Sequence, residues 1–455
     1  MMNKSLFSEF NNVSTKQWKQ KIQYDLQGSN YNALVWKSNE GIDVKPFYHP
    51  DDFNALLETS TPNPAQWNIC QTIYVTNAER SYSSAIRAIE GGAESILFII
   101  PSENINIDEL LGNINLNHIV VHFKRLFISE GLIKKLPNKV KIHTDIIGKL
   151  AKTGNWYKNL NHDFLLFENT VKTTKSFSIN MGLYQNAGAN MVQELAYGLA
   201  HANEYLNQLN NTAIAHNNIK AQDLQVTFNV ALGSNYFFEI AKLRALRKLW
   251  STLAFEYKAN THCHIMASPT KRNKTVYEYN TNMLRTTTEC MSAILGGANT
   301  ICNLPYDAIF HKTNKFGNRI ARNQLLILKH ESFFNAVNNP ADGSYYIETL
   351  TEQLAEKALI LFKDIEKQGG FLKQLKYGTI QRKIKESALK EQEQFNNGEK
   401  ILVGTNKYAS TNDKMTNEIQ LYPFVKTKPR KTLIQPIIEK RLAEPLEQKR
   451  LKNEN

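Results

Sequence analysis

"AILGGANTI" (293–301) joins the end of an apolar helix pattern to Gly-Gly-Ala and then to a strand start, and "AIEGGAESI" (88–96) does the same far earlier in the chain. Glycine just after a helix takes the left-handed conformation that stops it, so each stretch reads as a helix end feeding directly into a strand. Neither Gly-Gly follows a strand and opens a helix, so neither is a phosphate-binding loop. The echo marks a repeating unit, and the chain from Trp67 onward keeps to it. Strands are expected at "NICQTIYV" (68–75), "SILFII" (95–100), "HIVVHF" (118–123), "KVKIHTDI" (139–146), "SFSINM" (176–181), "QVTFNVAL" (225–232), "HCHIMA" (262–267) and "NTICNL" (299–304), with helical stretches between them. Alternating β and α elements call for a parallel sheet covered by helices. Eight strands spread over about 250 residues suit an α/β fold of the (β/α)8 barrel type. An open, doubly wound sheet is the alternative.

The helices are marked by their stripes. Val192, Leu195, Leu199, Leu206 and Leu209 recur at three- and four-residue spacing, as do Phe237, Ile240, Leu243 and Trp250. In "LTEQLAEKALILFKDIEKQGG" (350–370), Thr351 reads as the cap, Glu352 as first-turn acid and Gly369-Gly370 as the stop. Around the barrel (66–335) the sequence thus suggests an N-terminal arm (1–65) with one short helix near Lys16–Leu26, a helical extension (336–425) and a basic tail (426–455). The Pro/Asn cluster "STPNP" (60–64) separates arm from barrel.

Composition narrows the function classes. The 455 residues are 42% hydrophobic and 10% aromatic, an ordinary globular balance. No apolar run nears the roughly 18–20 residues that span a bilayer, and the N-terminus lacks a secretory pattern. Cys70, Cys263, Cys290 and Cys302 are far apart, which suits reduced thiols in a cytoplasm. The net charge is +13, and from Phe424 onward nine Lys/Arg face four Glu. Such a tail is expected to be solvated and partly helical, or else to lie on an acidic partner or a phosphate-bearing ligand. The basic residues form no nucleic-acid motif.

"THCHIMASPTKRNKT" (261–275) raises a metal question, because His262 and His264 would share one side of a strand. A metal needs further ligands, and His122, His143 and His162 show no characteristic spacing. Barrel active sites also sit at the C-terminal strand ends, whereas this pair sits at the start. Asp145, Asp163 and Asp223 lie near strand ends without forming a pair.

"YQNAGANMVQELAYGLA" (184–200), "NYFFEIAKLRALRKLW" (235–250), "NMLRTTTECMSAILGGANTICNLPYDA" (282–308), "NRIARNQLLILKHES" (318–332), "NPADGSYYIETLTEQLAEKA" (339–358) and "NGEKILVGTNKY" (397–408) occur in fixed order. Together they resemble the barrel subunit of the adenosylcobalamin-dependent acyl-CoA mutases, methylmalonyl-CoA mutase above all, over nearly the whole chain. The resemblance implies a (β/α)8 barrel with acyl-CoA threaded along its axis and a radical carbon-skeleton isomerisation begun by cobalt–carbon homolysis. It also implies a tyrosine against the cofactor, a histidine on the thioester carbonyl and arginine on the substrate carboxylate. At the matching positions this chain departs from the pattern. "WNICQT" puts Cys70 at the arginine and Thr72 at the tyrosine, Gln225 stands at a second substrate-binding arginine, and Met266 at the histidine; Gln185 matches a substrate-side position. The family's cobalamin domain carries an Asp-x-His-x-x-Gly loop, yet 47 residues follow Tyr408 and none is histidine. The resemblance therefore implies a non-catalytic small subunit with no cobalamin domain and no metal. Its partner would be a large subunit that holds adenosylcobalamin and acyl-CoA. A free-standing barrel acting as a binding or scaffold protein is the other reading; neither involves nucleic acid or a membrane.

Overall fold

A computed structural model describes residues 8–53, 66–129, 131, 133, 136–214, 219–337, 339–426 and 428–454. The "STPNP" cluster lies outside the described residues.

The arm carries α1 (Thr15–Asp25) and a small antiparallel hairpin of β1 (Trp36–Lys37) and β2 (Asp43–Val44). Ser14 starts α1 through a reciprocal cap with Gln17. Then follow β3 (Asn68–Tyr74), α2 (Ala78–Glu90), β4 (Ser95–Ile100), α3 (Ile107–Leu111), β5 (Val120–Arg125) and β6 (Lys141–His143). Next come α4 (Ile146–Thr153), α5 (Leu160–Thr174), β7 (Ser176–Asn180), α6 (Gly182–Asn186), α7 (Met191–Leu209) and β8 (Gln225–Leu232). The barrel section ends with α8 (Tyr236–Glu256), β9 (Cys263–Pro269), α9 (Thr281–Leu295), β10 (Thr300–Cys302) and α10 (Lys315–His330). Beyond it lie α11 (Tyr345–Lys367), α12 (Phe371–Lys376), α13 (Thr379–Asn396) and α14 (Glu444–Lys452).

All eight long-range strands are parallel, in the order β6-β5-β4-β3-β10-β9-β8-β7. The two outer strands of that order meet: Ser178 N in β7 donates to Thr144 O, just past β6, at 3.1 Å. An open sheet would hold these edges far apart, so the fold is the (β/α)8 barrel. The Gly-Gly pairs act as the sequence suggests, the second glycine of each being left-handed, Gly92 at φ +94° and Gly297 at φ +83°.

Side chains move several boundaries. β6 stops at His143 because Asp145 leaves the sheet to cap α4, taking Gly148 N at 2.7 Å. β10 stops at Cys302 because the Asn303 side chain turns the chain, accepting from Leu304 N and donating to Ala321 O. Thr351 is not a cap. α11 begins two turns earlier, after Ser344, and the Thr351 hydroxyl donates to Ile347 O inside it. The apolar stripe explains this, because Ile347, Leu350 and Leu354 are all buried and α11 packs against α7 and α8. Helix continues only to Asn396, and among the described residues between there and α14 there is no further helix or strand.

Nor is the basic tail a solvated end. It runs along α4, α6 and the loop after β9: Ile437 N donates to Ala151 O, Lys440 N to Asn186 O and Leu442 N to Arg272 O. Ile434, Ile437, Leu442, Glu444 and Glu447 are buried there. Charge counting missed this because the tail's apolar residues and its paired charges face inward together. Among the described residues no helix is long and apolar enough to cross a membrane.

One carboxyl near α12 gives the fold a pH dependence. Burial, helped by nearby Glu204, pushes Glu366 up to about 7, and one of its oxygens has no partner. A carboxyl raised in the folded state adds stability below about pH 4.5 and loses it as pH climbs to about 7. Glu366→Gln is therefore expected to leave stability unchanged at pH 5 and raise it at pH 8 by about 1 kcal/mol, allowing for the group's half-exposure. Urea titrations at both pH values check this; equal midpoint shifts at the two would refute it.

Candidate functional site

Strand parity decides what lines the barrel, since alternate residues face the same side. Cys70 on β3, Leu97 on β4, Met266 on β9 and Cys302 on β10 form one closed apolar cluster, each at most 8% exposed. Cys70 stands beside Cys302 in register, and their mutual burial pushes the Cys70 thiol up, so it is no thiolate nucleophile. Thr72, one step on along the same face, pairs in register with Leu97. Gln71 faces the other way, toward Arg322.

Beside this cluster three histidines converge. His122 Nδ1 lies 3.1 Å from His143 Nε2, the His122 and His264 rings are 5.9 Å apart, and His264 Nε2 is 3.0 Å from Thr300 Oγ1. Burial lowers all three, His143 to about 3, His264 to about 4 and His122 well below its ordinary value, so the trio is neutral at physiological pH. His262 does not join them. It is exposed, ahead of β9, with its N–H held by Asn260 Oδ1 at 3.0 Å. His162 is on α5, beside Asp163. Among the described residues no set of three or more His, Cys, Asp or Glu is placed to hold a metal ion. The meeting of His122, His143 and His264 was missed in the sequence, although their shared strand parity could have signalled it.

The other two sequence-selected residues lie away from this cluster. Gln225 is the first residue of β8, exposed at the N-terminal rim, where Lys141 Nζ donates to it at 3.1 Å. Met266 pairs instead with Asn229, four residues or about 13 Å further along β8. Gln185 is on α6 at the opposite mouth, accepting from Thr270 Oγ1 at 2.6 Å. It borders an open cleft of about 1270 Å³ between the arm hairpin, the β8–α8 loop and α13. α13 comes so close that a Cβ on Gly188 would lie 2.4 Å from the Ala388 methyl, and Gly188 has φ +101°. Only glycine serves both needs.

A sequence description of the methylmalonyl-CoA mutase family matches residues 129–449. The chain belongs to the methylmalonyl-CoA mutase family. The methylmalonyl-CoA mutase small subunit of Porphyromonas gingivalis is 33% identical over 91% of this chain and 73% of its own length. The small subunit from Streptomyces virginiae is 27% identical over 84% of this chain and 68% of its own. Against the methylmalonyl-CoA mutase of Rhizobium meliloti, 29% identical over 89% of this chain, the chain spans 65% of the relative's length.

In this mutase-family chain, two of the blocks that carry the resemblance are tied together by buried charge. Lys242 on α8 reaches Glu194 on α7 at 2.8 Å, Glu239 at 2.6 Å and Ala231 O at 2.8 Å, all sealed from solvent. A similar buried pair, Lys274 with Glu289 at 2.7 Å, fixes the loop after β9. Both networks are structural supports, remote in sequence from Cys70 and Thr72.

Proposed function

We propose that this chain is the non-catalytic small subunit of a heterodimeric methylmalonyl-CoA mutase. Its large partner would bind adenosylcobalamin and acyl-CoA and interconvert methylmalonyl-CoA and succinyl-CoA. The observation that carries the proposal is the apolar cluster at the matched positions. The positions that match the family's arginine and histidine, Cys70 and Met266, pack with Leu97 and Cys302 into a buried apolar cluster. Neither a thiol held protonated nor a thioether can clamp a carboxylate or polarise a thioester oxygen. Thr72 has no ring to set against a corrin.

The residues present do not fit adenosylcobalamin. The three barrel histidines are buried and neutral, and the face above β6, β7 and β9 is occupied by the tail. This chain's contribution would be surface for assembly. The arm supports that role: Phe10 (68% exposed), Trp18, Tyr24 (79%) and Trp36 are displayed on it, more large apolar side chains than a solvated arm needs.

The test is co-expression of the tagged chain with the longer mutase relative from the same source, followed by size-exclusion chromatography and a mutase assay. A stable one-to-one complex, active only when both chains are present, is expected. A large chain active alone, with this chain eluting separately, would overturn the proposal in favour of a free-standing binding protein.

A further inference from the structure

A cavity of about 330 Å³ lies over the C-terminal ends of β5, β6 and β7, roofed by α4, at the small end of the range for small-molecule sites. Among the described residues, three of its cations, Lys124, Arg125 and Lys149, form no ion pair. Lys124, near the end of β5, has no hydrogen-bond or ion-pair partner among the described residues, and its strongest charged neighbours are two more cations, Lys152 and Lys271. Arg125 is only 5% exposed, yet its guanidinium meets just neutral oxygens, Ser129 O at 3.0 Å and Thr144 Oγ1 at 3.1 Å, and its Nε has no partner. Lys149 lies over the Tyr157 ring at 5.3 Å, with Arg430 of the tail adding positive charge beside it.

The acids nearby are already engaged. Asp145 accepts from Gly148 N, Asn180 N and the Tyr205 hydroxyl, and faces His201 at 3.0 Å. Glu439, at the rim, is paired with Lys152 at 3.5 Å. His143, on the cavity wall and buried, also keeps Nδ1 without a hydrogen-bond partner. A buried guanidinium that meets only neutral oxygens, with two half-buried lysines beside it, is unfavourable without a counter-ion, so this arrangement suits a bound anion. A phosphate monoester carries close to two negative charges and three acceptor oxygens, enough for several converging cations, where a carboxylate offers one charge and two oxygens. The cavity wall also has an apolar side, Leu126, Phe127 and Ile146.

We propose that this cavity binds a small organic phosphate, with its phosphoryl oxygens on Lys124, Arg125 and Lys149 and its carbon body against Leu126, Phe127 and Ile146. The site goes beyond the mutase reading and does not depend on it.

Calorimetric titration and thermal unfolding of the full chain, with glycerol 3-phosphate and inorganic phosphate compared against chloride at equal ionic strength, test the site. Glycerol 3-phosphate is expected to bind and raise the unfolding temperature, and inorganic phosphate to bind more weakly. Lys124→Gln is expected to weaken binding about tenfold or more, as for loss of one charged hydrogen bond. Lys149→Gln, a second variant on the more open side of the cavity, should weaken it in the same direction. Both variants should keep the wild-type circular dichroism spectrum. Absence of binding by either anion, or unchanged affinity in both variants, would overturn the site. Tighter binding of inorganic phosphate than of glycerol 3-phosphate would overturn its organic specificity.

Discussion

Lys242→Met is expected to cost about 3–5 kcal/mol, a large part of the 5–15 kcal/mol that holds an ordinary domain together. The Lys242 ammonium sits between Glu194 and Glu239 and also donates to Ala231 O, with all three side chains at 0–1% exposure. Methionine fills similar space but leaves two buried carboxyls facing each other with no cation. The deficit should depend on pH. Even with Lys242 in place, burial pushes Glu194 up to about 7, and without the cation it must rise further. A carboxyl raised in the folded state stabilises below about pH 4.5 and loses that stability as pH rises through the folded value. The variant should therefore be nearer to wild type at pH 5 than at pH 8. Adding Glu194→Gln and Glu239→Gln should recover much of the loss, since removing a whole buried network costs far less than breaking it. Urea midpoints at the two pH values measure both effects; a single variant as stable as wild type at pH 8 would show that the network is not structural.

Deletion of residues 431–455 is expected to be at least as damaging, by about 5 kcal/mol or more. Ile434, Ile437 and Leu442 are buried against the barrel face, and each is worth about 1.5–3 kcal/mol. The deletion also strips partners from the loop after β9. Arg441 Nη1 donates to Lys274 O at 3.0 Å and pairs with Glu447 at 2.7 Å, while Glu447 accepts Val276 N at 2.7 Å. Arg441→Met isolates the electrostatic part, leaving Glu447 buried without its cation for a cost of about 3 kcal/mol. Thermal unfolding of both variants decides the point. A truncated chain melting with the wild type would mean that the tail rests on the barrel without supporting it.

The barrel was legible because its signals are local. Each strand shows as a short apolar run, β8 at its full extent, and each Gly-Gly stop depends on one left-handed residue beside a helix end. Thr351 misled for the opposite reason. A hydroxyl residue before an apolar run looks like a cap, but packing on α7 and α8 extended α11 past it. The tail misled because Arg441 and Glu447 read as solvated charges until their partners, Lys274 O and Val276 N, are seen about 170 residues away.

By itself the sequence determined the alternation of strands and helices, the helix stops and the family, and it singled out Cys70, Thr72 and Met266 on their strands. Tertiary structure alone decided that Cys70 and Met266 close on Leu97 and Cys302, that Gln225 sits at the N-terminal rim, and that His122, His143 and His264 meet inside the barrel. The difference is physical. Helix stops and strand patterns are written in neighbouring residues, whereas barrel closure sets side chains from distant strands at one level, and the register that aligns them is a property of the closed sheet.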